Sequence, residues 1–118
     1  MDDKQLQEKA FEAVEQALAS GKIRKGTNET TKAAEKGIAK LVVVAKDTDP
    51  KEVIMHLAPL CKEKQVAYVE VPNKVELGRA AGLPVGTSAV AIIQEGNAKT
   101  TIKQISDAVG GNNGSKEE

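Results

Sequence analysis

Aromatic residues are almost missing from this chain of 118: there is one phenylalanine, Phe11, one tyrosine, Tyr68, and no tryptophan. Modules that hold single strands stack successive bases on several exposed rings, so the scarcity excludes them and leaves hydrogen-bonding and shape recognition open. A single cysteine, Cys61, rules out an internal disulfide and a cysteine-rich zinc site, and suits a reducing cytoplasm. His56 is the only histidine. It lies beside Met55 and Leu57 without the partners that catalysis or metal binding needs, so it reads as structural. No apolar run approaches the ~20 residues of a membrane span, and the charged N-terminus is unlike a signal peptide. The expectation is a cytoplasmic chain with no membrane partner.

Charge of one sign is also lacking, since 17 basic residues balance 17 acidic ones. The balance is uneven along the chain. Residues 1–20 set Lys4 and Lys9 against Asp2, Asp3, Glu8, Glu12 and Glu15, a net of −3. Residues 21–40 set Lys22, Arg24, Lys25, Lys32, Lys36 and Lys40 against Glu29 and Glu35, a net of +4. One local basic segment in a neutral protein fits a single anionic partner met at one site rather than a coat for bulk nucleic acid.

What is present is an alternation of helices and strands. Leu6, Ala10, Phe11, Val14 and Leu18 form a helical stripe over residues 3–20, with Gly21 as a C′ stop. Residues 22–25 are a short extended piece, too polar to be central. A helix follows to Lys36, closed by Gly37. The run Leu41 to Ala45 predicts a strand covered on both faces. Asp49, Pro50 and Glu52 have the pattern of an N-cap, a first-turn proline and a capping-box partner, with Pro59 breaking or kinking that helix about one turn before its end. Ala67–Val71 and residues 88–93 are further strands, and a short helix at 74–81 lies between them. Asn97 is placed to cap a last helix carrying Ile102, Ile105 and Val109. The pattern predicts a three-layer α/β/α sandwich around a small mixed sheet, one domain over residues 1–110, with a disordered tail at 111–118.

The stretch Gly26-Thr27-Asn28-Glu29-Thr30-Thr31-Lys32 is a tight turn entering a helix, with Thr27 or Asn28 as the predicted N-cap. The open amides of such an end attract anions. Asn28 and Lys32, four apart, share a face with Glu29 close by. An amide, a carboxylate and an ammonium together can read the edge of a base as well as a phosphate. Lys22, Arg24 and Lys25 lead into it. Two further segments are expected on the same edge of the sandwich: Asp47 to Val53, and Lys74 with the apolar loop Leu83-Pro84-Val85. Asp47 and Asp49 are two carboxylates only, so they read as turn and cap residues and not as a metal site. Cys61 reads as a buried core thiol. No Walker loop or dinucleotide fingerprint is present, and Gly78-Arg79-Ala80-Ala81-Gly82 has the wrong spacing for one. No catalytic residue, cofactor or metal is expected.

The blocks Lys25 to Lys32, Gly37 to Val43, His56-Leu57-Ala58-Pro59-Leu60-Cys61 and Leu77 to Gly82 closely resemble the archaeal large-subunit ribosomal proteins of the L-seven-Ae family, over roughly residues 5–110. The resemblance implies a non-enzymatic kink-turn RNA binder with an α/β/α sandwich fold, monomeric when free. It also implies service in the ribosome, in box C/D and H/ACA guide ribonucleoproteins and in RNase P. Its partners would be 23S rRNA, the guide RNAs and RNase P RNA, together with a Nop-type scaffold protein and a fibrillarin-type methyltransferase. By resemblance Asn28, Glu29 and Lys32 meet the guanines of tandem sheared G·A pairs, and Gly26 and Thr27 let the backbone approach the RNA. Asp49 and Lys74 fall near a flipped-out nucleotide, and Leu83, Pro84 and Val85 cover a protruding base. Pro84 departs from the acidic or polar residue that relatives carry mid-loop. The candidate RNA-binding residues are thus Lys22, Lys25, Gly26, Thr27, Asn28, Glu29, Lys32, Asp49, Val53, Lys74, Leu83, Pro84 and Val85. Two alternatives stand beside this: the substrate-binding domain of an RNA-modification enzyme, and a small α/β enzyme for a phosphate-bearing ligand.

Overall fold

The computed structural model describes residues 2–109; the expected tail at 111–118 lies outside them. At its centre is the strand Leu41–Ala45, here β2, all five residues of which are buried. The other strands are β1 (Lys22–Lys25), β3 (Ala67–Val71) and β4 (Ala89–Gln94), in the order β1-β4-β2-β3. β4 runs antiparallel to both β1 and β2, and β3 runs parallel to β2, so the sheet is mixed. β1 is the polar edge strand that its Lys-Ile-Arg-Lys sequence predicts.

Alternation along β2 divides the interior into two cores. Leu41, Val43 and Ala45 pack with Ala10, Val14 and Ala17 of α1 (Asp3–Ser20), Leu77 of α4 (Lys74–Ala80) and Ile102 and Ile105 of α5 (Lys99–Val109). Val42 and Val44 pack with Ala33 and Ala34 of α2 (Thr27–Glu35) and Leu57 and Cys61 of α3 (Leu57–Lys64). Helices therefore cover both faces, and the fold is the three-layer sandwich.

Several local expectations are corrected. Gly21 ends α1 with φ −125°, outside the left-handed region. It is glycine for another reason: a Cβ there would run into the Gln94 carbonyl. Leu18, on the predicted stripe, is 43% exposed. Asp49, Pro50 and Glu52 open no α-helix; Lys51–Val53 is a single 3-10 turn without a side-chain cap. α3 begins only at Leu57, so Pro59 sits in a first turn, where its missing N–H costs nothing, and does not break the helix. Asn97 lies inside a 3-10 turn, Gly96–Ala98, and its amide donates to Ser20 Oγ at 2.7 Å. α4 has a cap that went unforeseen: Asn73 Oδ1 accepts from the amides of Val75 and Glu76.

Candidate nucleic-acid interface

The strand registers bring the carboxyl ends of β1, β2 and β3 together with the amino end of β4, because Lys25 faces Val90, Val44 faces Ala89 and Ala45 faces Val71. A line of hydrogen bonds stitches this rim. The Gly26 amide donates to Ala89 O at 2.8 Å, and the Ala45 amide to Ser88 O at 2.9 Å. The Lys46 amide donates to Val71 O at 2.8 Å, and the Thr87 amide to Lys74 O at 3.0 Å. Asp47 Oδ1 accepts from the Lys74 amide at 2.9 Å, which ties the loop after β2 to the start of α4. Asp47 is thus a structural clasp.

α2 starts on this rim. Its N-cap is Gly26, with φ +96° and ψ 157°, rather than Thr27 or Asn28, and no side chain caps the end. Thr27 Oγ1 instead bonds Ser88 Oγ at 2.5 Å, spending its hydroxyl on β4's approach. The first intrahelical bond runs from the Thr30 amide to Gly26 O at 3.0 Å, so the amides of Thr27, Asn28 and Glu29 have no acceptor within the helix. Nothing lies within 4 Å of where a Gly26 Cβ would stand. The turn therefore demands glycine for its backbone angle, and its outer side is open to a ligand. Asn28, Glu29 and Lys32 are all exposed.

Between α2 and residues 51–56 lies an open cleft of about 670 Å³. Asn28, Lys32 and Glu35 line one wall, and Glu52, Val53 and His56 the other. Thr31 Oγ1 donates to Thr27 O at 2.8 Å, and His56 Nε2 lies 2.7 Å from the same hydroxyl. That hydroxyl has one hydrogen, already given to Thr27, so His56 must donate through Nε2–H. His56 is exposed and fastens the Lys51–His56 segment to α2. Cys61 is buried beneath, and burial pushes its thiol up to about 11.

Gly26 to Lys32, Lys25, Asp49, Val53, Lys74 and the loop Leu83 to Val85 all fall on or beside this one end of the sheet. Val85 is 64% exposed and Val53 41%. The loop lies on α4: a Cβ on Gly78 would meet the Val85 carbonyl, and the Leu83 amide donates to Gly78 O at 2.9 Å. Lys22 is the exception. It pairs with Gln94 at the opposite end of the sheet, about 10 Å from the rim at ~3.3 Å per strand residue. The sequence reading missed Glu35, Glu52 and His56 as cleft walls, because only the fold sets residues 51–56 against α2. Among the described residues no group of three or more histidine, cysteine or acidic side chains could hold a metal ion, and no helix is long and apolar enough to cross a membrane.

Residues 8–102 match the ribosomal protein L7Ae/L30e/S12e/Gadd45 family. The chain belongs to this family. Among solved structures, the Giardia lamblia 15.5kD RNA binding protein superposes with a TM-score of 0.85 at 30% sequence identity, covering 92% of this chain and 91% of that one. L7Ae family members are RNA-binding structural proteins and not enzymes. That sets aside the reading as a small α/β enzyme.

Proposed function

We propose that the rim recognises and stabilises kink-turn RNA. The observation that carries this is the uncapped start of α2, with Asn28, Glu29 and Lys32 exposed beside the apolar Leu83–Val85 loop. A straight A-form helix closes its major groove to side chains, so base edges there become reachable only where the helix is sharply bent. The Asn28 amide donates and accepts, Glu29 accepts from amino groups and Lys32 donates, a set that suits the guanines of tandem sheared G·A pairs. Lys25 and the free α2 amides take the adjacent phosphates. Asp49 and Lys74 flank an extruded nucleotide, and Leu83, Pro84 and Val85 cover its base. In this role the domain of residues 1–110 acts in the cytoplasm as a large-subunit ribosomal protein on 23S rRNA. It also acts as the core protein of box C/D and H/ACA guide particles and of RNase P. A Nop-type scaffold and a fibrillarin-type methyltransferase then assemble on the protein–RNA complex.

Binding the kinked conformer better than the extended one is what shifts the RNA population. Adding the protein to a doubly labelled kink-turn RNA without divalent ions is expected to raise end-to-end FRET, and replacing the G·A pairs by Watson–Crick pairs to abolish the response. Equal binding to both RNAs with no change in FRET overturns the proposal.

A further inference from the structure

The two edges of the sheet are built differently. β1 sets Lys22, Arg24 and Lys25 along one side, the charged kind of strand that guards an open edge. β3, at the other edge, reads Ala-Tyr-Val-Glu-Val and carries no cation. Its register fixes which main-chain groups are spent. Val71 O accepts from the Lys46 amide, so Val71, and by alternation Val69 and Ala67, turn their N–H and C=O towards β2. Tyr68 and Glu70 turn theirs outward, where no strand lies among the described residues. This open stretch is closed at both ends: the Val66 amide is given to Cys61 O at 2.8 Å, and Pro72 has no N–H. Half-buried apolar side chains flank it on both faces of the sheet. Leu60, Val66 and Tyr68 pack on the α3 side, and Ala67 and Val109 on the α1 side. An unguarded edge of this kind is a template for another strand.

We propose that a second copy of this chain occupies that edge, β3 pairing antiparallel with β3 about a twofold axis beside Val69. Tyr68 then stands opposite Glu70 of the second copy, and each such pair exchanges two N–H···O=C bonds. The side chains choose this register. Centred on Glu70, it would set two carboxylates face to face; centred on Tyr68, it would set Glu70 against Val66, whose amide is already spent. Centred on Val69, it brings each Tyr68 hydroxyl, which donates to its own Glu70 at 3.0 Å, beside the Glu70 of the second copy as well. The two sheets become one, and the half-buried flanks are covered. A single edge strand buries less than the ~1,200 Å² of a standing interface, so the dimer is transient and forms where copies are crowded. Because the paired strands run oppositely, the two rims face opposite ways. The dimer therefore joins two separate RNA elements, a consequence that rests on the kink-turn reading of the rim, whereas the pairing itself does not.

Amide hydrogen exchange, read residue by residue by NMR on the full chain without RNA, tests the pairing from dilute to concentrated solution. The Tyr68 and Glu70 amides should exchange fast when dilute and slow as concentration rises, by about tenfold where about nine-tenths of the protein is paired. The Val69 amide, turned towards β2, should be slow throughout. Sedimentation over the same range should show monomer passing to dimer, and Glu70→Pro should abolish both changes. Proline suits the fold there, because the N–H it removes faces outward on an edge strand, and an unchanged melting temperature checks this. Where Glu70→Pro does not fold, Glu70→Lys keeps the N–H but guards the edge with a cation, and should weaken the association. Exchange at Tyr68 and Glu70 that ignores concentration overturns the proposal. So does a dimer that both variants leave intact, or one that protects amides only elsewhere. If kinked RNA gives no FRET response while the edge amides are protected, the kink-turn reading falls and the pairing stands.

Discussion

Gly78→Ala sets two physical effects against each other, and the structure decides the sign. Gly78 lies inside α4, and an interior helical glycine is normally less stable than alanine by about 0.5–1 kcal/mol. Helix propensity alone therefore predicts that the substitution stabilises the protein. Here the new methyl would overlap the Val85 carbonyl oxygen and stand 2.9 Å from Gly86 Cα. Both atoms are backbone and cannot rotate away. The loop must lift by about 1 Å to restore ordinary contact, against the bond from the Leu83 amide to Gly78 O and that from the Thr87 amide to Lys74 O. Overpacking of this kind costs about 1–3 kcal/mol, so the net expectation is a loss of about 1–2 kcal/mol in urea unfolding. Because the lifted segment carries Val85, affinity for a kink-turn RNA with a protruding base should fall more than affinity for one without it. A more stable variant with unchanged RNA binding would refute the reasoning, showing that the loop yields freely and is not wedged against α4.

Three other perturbations follow from the same structure. Asn28→Ala and Lys32→Ala should each weaken kink-turn binding by about 1–3 kcal/mol, with Lys99→Ala on α5 nearly silent; equal small losses at all three in filter binding would leave only general electrostatics. Thr30 is fully buried and its Oγ1 has no hydrogen-bond partner, so Thr30→Val should raise stability by about 1 kcal/mol and leave RNA affinity unchanged; a destabilised variant would mean that the hydroxyl has a partner after all. Burial raises the Cys61 thiol from 9.0 to about 11, so the folded state keeps a proton that the unfolded chain releases. Stability should hold up to about pH 9 and decline from there towards pH 11, and Cys61→Ala should make that decline shallower in unfolding titrations. Tyr68 adds to the loss at still higher pH, because burial, and then the Glu70 carboxylate that accepts its hydroxyl at 3.0 Å, both raise its pKa.

Leu41 to Ala45 announced its burial on both faces because five apolar residues in a row leave no polar side, and the three-layer architecture follows from that strand and its helical neighbours. The helix boundaries were harder. Asp49-Pro50-Lys51-Glu52 has the composition of a helix start, yet the chain makes a single 3-10 turn there and begins α3 four residues later. Nothing local distinguishes the two, since Pro59 is acceptable in a first turn and damaging in a last one. At Gly26 the motif was visible but its capping was not: Thr27 is a good cap by type, and its hydroxyl is taken by Ser88, 61 residues away. Lys22 and Lys25 read alike as basic neighbours of the turn, and only the direction of β1 separates them. The cleft wall formed by Glu52 and His56 is a tertiary product with no signal in sequence spacing.

The rim is held almost wholly by main-chain groups and by three side chains that bond within it, Asp47, Thr27 and Ser88. Leu83 contributes its amide to that frame through the bond to Gly78 O, while the exposed side chains of Pro84 and Val85 carry none of it. Shape and vocabulary are thus separately encoded. Substitutions at the loop tip can alter which nucleotide is covered without unsettling the surface that covers it, so a lineage could retarget this domain to a new RNA by changing two or three residues and leaving the rest of the molecule alone.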